Sequence, residues 1–230
     1  MKKSILIWLV IGVGVICGIY IFWQNNSNNI KPTNTSISMH NLPQSNPSSH
    51  NTINNSKTMT TYTTKPPILI DTNKSYSAVF KTSEGEFTVE LNVKDTPITT
   101  NNFVFLARQG FYNNTIFHRI MKNFMIQGGD PTGTGMGGPG YKFDDEKIIG
   151  EYTRGTLAMA NSGHNTNGSQ FFIMHQDYPL SKDYVIFGKV VQGLDVIDKI
   201  ANTPVQLSAQ GELSVPINPP TIYSIDIIEK

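Results

Sequence analysis

The pattern of hydrophobic and polar positions divides the chain into three stretches. Ile5 to Trp23 is an uninterrupted apolar run. Gln24 to about Pro67 is rich in Asn, Ser, Thr and Pro, with Tyr62 as its single aromatic residue. From Tyr76 onward, apolar residues recur at the short periods of folded elements. Phe87, Val89 and Leu91 alternate with Thr88 and Glu90, and Ser83-Glu84-Gly85-Glu86 supplies a turn, so Tyr76 to Leu91 reads as a hairpin. A helix follows, with Thr96 as its cap, Pro97 in its first turn and Gly110 at its left-handed stop. Phe103, Leu106 and Ala107 form its apolar stripe.

Strand-like segments are predicted around Ile116–Arg119, Met125–Gln127, Thr156–Met159, Phe171–Met174 and Val185–Val191. A second helix is expected at Leu194–Ala201, with Leu194, Ile197 and Ile200 on one face. Tyr223, Ile225 and Ile227 alternate in a last strand. Many short strands, glycine-rich turns and two helices imply an all-β barrel or sandwich. The expected organisation is a transmembrane helix at 1–23, a disordered linker at 24–70 and a folded domain at 71–230.

As a helix, the apolar run spans roughly 28 Å, close to the ~30 Å hydrocarbon core of a bilayer. Lys2 and Lys3 precede it, which favours a cytoplasmic amino terminus and an exported remainder. Tyr20, Phe22 and Trp23 suit the outer interface. The alternatives are a cleaved signal peptide, leaving a secreted domain, and a lipoprotein site at Cys17. No small-x-small cleavage site follows the run, and Ile16 is bulky where lipidated sites carry a small residue. The linker composition cannot bury enough apolar surface to offset the entropy of ordering it.

Charge sharpens the picture. All 17 acidic residues lie at or after Asp71, while five of the 18 basic ones precede it (Lys2, Lys3, Lys31, Lys57 and Lys65). The domain therefore carries 13 basic against 17 acidic residues, about −4, and has no basic stripe for nucleic acid. Cys17 is the only cysteine, so no intramolecular disulfide forms. Gly133-x-Gly135-x-x-Gly138 satisfies a dinucleotide fingerprint in form, but it lacks the strand before and the helix after. It reads as a glycine-rich loop. His118, His164 and His175 lack metal-ligand spacing, and Asp144, Asp145 and Glu146 read as a solvated acidic turn.

The candidate chemistry lies in two segments, FHRIMKNFMIQGGD (Phe117–Asp130) and GTLAMANSGHNTNGSQFF (Gly155–Phe172). They set one arginine among uncharged groups, with no evident nucleophile or general base. Taken singly, Phe124, Met125 and Phe172 are residues that fill cores. Jointly, the two segments resemble the cyclophilins, a family of peptidyl-prolyl isomerases, and the resemblance covers about Tyr76 to Ile228. It implies a closed eight-stranded antiparallel barrel capped by two helices. It implies that Arg119 is the catalytic residue and that Phe124, Met125 and Phe172 line a proline pocket closed by Leu180. Gln127 would contact the substrate carbonyl, Ala160 and Asn161 would dock the peptide backbone, and Gln170 would stand behind them. Proline-containing polypeptides are the implied partners, as a monomer and with no cofactor or metal. A non-catalytic module that binds proline peptides is the alternative. The chain departs from the family pattern twice. Tyr178-Pro179 stands where many cyclophilins carry a tryptophan, and Tyr184 stands where a histidine is usual. The first departure implies weak cyclosporin binding.

Overall fold

The computed structural model describes residues 60–230; the expected membrane helix and most of the expected linker lie outside them. The strands are β1 (Tyr76–Thr82), β2 (Gly85–Leu91), β3 (Thr115–Ile116), β4 (Arg119–Met121), β5 (Met125–Gly128), β6 (Thr156–Met159), β7 (Phe171–Met174), β8 (Ile186–Gln192), β9 (Val205–Leu207), β10 (Leu213–Pro216) and β11 (Thr221–Glu229). The helices are α1 (Pro97–Arg108) and α2 (Leu194–Ala201). Among the described residues no helix is long and apolar enough to cross a membrane.

Nine strands form one antiparallel sheet in the order β3-β11-β1-β2-β8-β6-β7-β5-β4, and β9 and β10 form a separate hairpin. The count exceeds the expected eight because β3 and β4 are separate strands. Phe117 and His118 interrupt them, sending their N–H groups to Pro220 O and Gln127 O at 3.0 Å each. These two edge strands are consecutive in the chain but do not pair, so the sheet is a curled half-barrel and not the expected closed barrel.

Phe80, Phe87, Phe103, Tyr112, Phe171 and Phe187 fill the interior. Phe80 stacks on Phe87 at 4.5 Å, and Phe171 meets Phe103 edge-on at 5.9 Å. Helix α1 packs against β11, and α2 against β2, β4 and β5. The second helix runs over the expected residues, burying Val196, Ile197 and Ile200.

Three local expectations change. Thr96 makes no side-chain cap to α1; its hydroxyl donates to Asn92 O instead. The helix N-terminus is capped by Glu146, whose carboxylate accepts from the N–H groups of Ile98 (2.9 Å) and Thr99 (2.7 Å). An anion there satisfies orphan donors and complements the helix dipole. Asp145 accepts from Asn165 N–H and Asn167 Nδ2, so the supposed solvated acidic turn is a structural anchor. In β11 the register against β1 skips Tyr223, a bulge that leaves Tyr223 53% exposed and turns Ile222 and Ile225 inward.

Residues 60–70, placed in the disordered linker by composition, pack on the domain. Tyr62 sits 5.3 Å from Phe105, and its N–H donates to Pro139 O at 2.8 Å. Gly140 permits this approach: its φ is +99°, and a Cβ there would lie 2.5 Å from Tyr62 O. Asn101 on α1 accepts from Leu69 N–H (2.7 Å) and donates to Pro67 O (2.9 Å). One anchoring aromatic ring and one buried amide order a segment whose average composition predicts disorder.

Candidate active site

The two-residue period of a strand builds the site. Across β4, β5 and β7, Ile120, Ile126 and Ile173 are in register and face the core. One position along, Arg119, Gln127 and Phe172 are also in register, and they face the other way. This outer face carries a second apolar cluster of Met125, Tyr152, Ala158, Phe172, Met174 and Ile186. Phe124, Ala160, Leu180, Tyr184 and Met121 pack around it. The structure therefore gathers Phe124, Met125, Ala160, Phe172, Leu180 and Tyr184 into one patch beside Arg119. Tyr184 meets Phe172 edge-on at 5.4 Å.

A polar relay runs along the edge of the patch. Arg119 Nη1 donates to Gln127 Oε1 at 3.3 Å and lies 3.8 Å from Met125 Sδ. Gln127 Nε2 donates to Gln170 Oε1 at 3.0 Å. Gln170 Nε2 donates to Gly135 O (2.9 Å) and Gly137 O (2.8 Å). Both carbonyls belong to the glycine-rich loop, which wraps the buried carboxylate of Asp130. That carboxylate accepts from the N–H groups of Thr132 (2.7 Å), Thr134 (3.1 Å), Gly135 (2.6 Å) and Gly137 (3.1 Å). A Cβ on Gly137 would lie 2.0 Å from Asp130 Oδ1, so glycine there lets the backbone close on the anion. Burial alone would raise the Asp130 pKa. The bonds from Thr132, Gly137 and Gly135 together outweigh it and hold the carboxyl below its usual range.

Asn161 stands apart from the apolar patch. Its Nδ2 donates to Asp183 O (2.8 Å) and its Oδ1 accepts from Gly163 N–H (3.1 Å), so its side chain ties two loops together. Ala160 N–H donates to Gln170 O at 3.0 Å.

Three further residues at the site, Tyr152, Met121 and Glu212, have no separate signal in the sequence, and Tyr178, already noted for standing where a tryptophan is usual, joins them. Tyr152 lies under the patch, and its hydroxyl donates to Tyr184 O at 2.8 Å. Tyr178 lays its ring 4.7 Å from Phe124, where the family's tryptophan was expected. Met121 Sδ lies 3.2 Å from Arg119 Nη2. Glu212, between β9 and β10, accepts from Arg119 Nε and Nη2 at 2.7 Å each. Those bonds from Arg119 hold the Glu212 carboxyl below its usual range, against burial, with help from Ser214. The β9–β10 hairpin has no counterpart among the predicted strands, and nothing local to residue 212 points to a partner 93 positions away.

Behind Phe124, His175 is buried. Its N–H donates to Phe124 O (2.8 Å), and its Nδ1 accepts from Asn123 N–H (3.0 Å). Its Nε2 lies 3.2 Å from Asp198 Oδ1, which Arg154 also holds at 2.8 Å. Burial lowers the His175 pKa, with Asp198 opposing and Arg154 assisting. Among the described residues no group of three His, Cys, Asp or Glu side chains is placed to hold a metal.

Known proteins resemble this arrangement. Residues 77–226 match the family described as cyclophilin type peptidyl-prolyl cis-trans isomerase/CLD. A peptidyl-prolyl cis-trans isomerase of Arabidopsis thaliana is 50% identical over 128 residues, covering 53% of this chain and 78% of that one. The peptidyl-prolyl cis-trans isomerase-like 1 of Aspergillus fumigatus is 55% identical over 128 residues, covering 53% and 80%. A crystal structure of a cyclophilin type isomerase from Cryptosporidium parvum superposes with a TM-score of 0.62 at 40% identity, over 68% of this chain and 99% of that one. The same isomerase in the presence of the dipeptide Ala-Pro gives 0.61 at 40% identity, over 67% and 99%. The outer sheet face, its single arginine and these relatives agree: this chain belongs to the cyclophilin-type peptidyl-prolyl cis-trans isomerases.

Proposed function

We propose that Arg119 drives the isomerisation by stabilising the twisted state of an X–Pro bond. Amide resonance sets a barrier of about 18–20 kcal/mol, and uncatalysed exchange takes tens to hundreds of seconds. Halfway through the rotation that resonance is lost, and the prolyl nitrogen regains a lone pair. A donor aimed at that nitrogen binds the twisted form better than either planar isomer, which is what lowers a barrier. Each ~1.36 kcal/mol of selective stabilisation gives a factor of ten in rate.

The carrying observation is the position of Arg119 Nη1. It lies at the rim of the apolar patch, beside Gln127 and Met125, on the edge of the guanidinium away from Glu212. The proline ring enters between Phe124, Met125, Phe172 and Leu180. Gln127 accompanies the substrate carbonyl, and the chain runs along Ala160–Asn161. Binding of proline peptides finds support in the relative crystallised with Ala-Pro.

Exchange spectroscopy on a short Ala-Pro peptide tests the mechanism. Arg119→Ala should abolish most of the turnover while retaining peptide affinity. Equal loss of both would make the arginine a binding group and favour a chaperone or scaffold module.

The wider reading is that this isomerase serves proline-limited folding of exported proteins from the outer side of the cytoplasmic membrane. It rests on Lys2 and Lys3 before the Ile5–Trp23 run. Domain degradation by protease added to intact spheroplasts would support it, and full protection would refute it. With Tyr178 in place of tryptophan, cyclosporin should inhibit weakly; nanomolar inhibition would contradict this.

A further inference from the structure

We propose that Glu212 is a positioning residue for the isomerase reaction: from the β9–β10 hairpin it grips one edge of the Arg119 guanidinium, so that Nη1 is presented to the proline pocket. This rests on the assignment of Arg119 as the catalytic donor.

Three observations carry it. The grip is a two-point fork, Nε to Oε2 and Nη2 to Oε1, both 2.7 Å, and such parallel charge-assisted bonds fix the guanidinium plane. Nη1 is the nitrogen that the carboxylate leaves alone, and it points to Gln127 Oε1 and Met125 Sδ at the pocket rim. Glu212 is itself held. Its N–H donates to Ser208 Oγ (3.1 Å), its carbonyl accepts from Ser208 N–H (2.7 Å), and β10 packs against β4 with Ser214 and Pro216 buried.

Without that grip, Arg119 lies on an edge strand that pairs only with β5. A long side chain there samples several rotamers, and the fraction aimed at a twisted imide falls. Stability is not the main effect of the pair. The two side chains are 33% and 35% exposed, and ion pairs so open to water contribute little to folding. The hairpin thus acts on turnover through geometry.

The test uses the full-length chain with Glu212→Ala, Glu212→Gln and, as reference, Arg119→Ala. Turnover of a short Ala-Pro peptide is read by exchange spectroscopy and affinity by titration of the same peptide. The Arg119 Nε–H resonance, assigned by its absence in Arg119→Ala, reports the grip. Glu212→Ala should lower kcat about tenfold, leave peptide affinity within about twofold and speed solvent exchange of Nε–H. Glu212→Gln, which keeps shape and one acceptor, should fall between it and the wild type.

Wild-type or higher kcat in both Glu212 variants overturns the proposal; higher turnover would make the carboxylate a brake. So does a fall in kcat matched by an equal loss of affinity with Nε–H exchange unchanged, which marks a structural role. Should Glu212→Ala fail to fold, Glu212→Gln with the Nε–H readout decides alone. The two readings fail separately. If Arg119→Ala is impaired and the Glu212 variants are not, only the positioning role falls. If Arg119→Ala turns over normally, the mechanism falls and this role with it.

Discussion

Replacing Asp130 by Asn should destabilise the domain by about 3 kcal/mol and slow catalysis, although Asp130 touches neither the pocket nor Arg119. Its Oδ2 accepts from the N–H groups of Thr134, Gly135 and Gly137. Its Oδ1 accepts from the N–H and hydroxyl of Thr132 at 2.7 Å each. Asparagine keeps one oxygen and sets an NH2 against the donors of the other. Hydrogen bonds to charged groups contribute about 1.5–3 kcal/mol each, and losing a buried charged partner costs about 3–5 kcal/mol. The three Oδ2 bonds do not add, because the loop relaxes toward water; about 3 kcal/mol is the net expectation. Urea unfolding followed by circular dichroism measures it, and the midpoint temperature should fall by roughly 10 °C.

The sign of the pH dependence follows from the lowered Asp130 pKa. The unfolded chain takes up this proton first as acid is added. The gap between wild type and variant is therefore complete above the ordinary carboxylate value near pH 4, and it narrows as the pH falls from there through the folded value. Loosening the loop moves Gly135 O and Gly137 O, the acceptors of Gln170, and through Gln127 reaches Arg119. kcat/KM should drop about tenfold by the exchange assay. A variant within about 1 kcal/mol of wild type, or one whose gap persists unchanged at pH 3, refutes the reasoning.

Two other predictions concern residues outside the pocket. Glu146→Ala removes the carboxylate that caps α1 and should cost about 1–2 kcal/mol in urea unfolding, while Thr96→Val should cost less because its hydroxyl does not cap; a larger loss for Thr96→Val would reverse the assignment. His175 accepts from Asn123 N–H as the neutral ring and has a lowered pKa, so the folded state resists its protonation. Its stabilisation should be whole above about pH 6.5 and be lost as the pH falls through the folded value, with a slope of up to about 1.4 kcal/mol per pH unit. Buried His118 acts in the same direction, so His175→Gln should flatten the slope without removing it; an unchanged slope would exclude His175 as a source.

The candidate site residues were named by the family resemblance of two short segments, and the strand period explains why they gather on one face. Arg119, Met125 and Gln127 share one parity of a two-residue period, and Ile120 and Ile126 hold the other. Segments only a few residues long therefore separate the pocket face from the core face. The helices were legible for a related reason: Pro97, Gly110 and the Leu194–Ala201 periodicity act within one or two turns. What escaped acts across distance. The cap on α1 comes from Glu146, the tie on Arg119 from Glu212, and the order of residues 60–70 from a ring slot formed by Phe105, Phe111 and Tyr141.

The sequence by itself settled the mainly-β class, both helices and the family resemblance, since each is written in periods and motifs within short windows; that Arg119, Gln127 and Phe172 share one face came from the strand register. Only the tertiary structure decided that β3 and β4 separate, that Tyr223 bulges outward, that Asp130 organises the glycine-rich loop behind Gln170, and that a hairpin delivers Glu212 to the arginine. Those features depend on which remote groups meet when the sheet curls. Hydrogen-bond partners are chosen by proximity in space, and a linear pattern of residues does not encode that proximity.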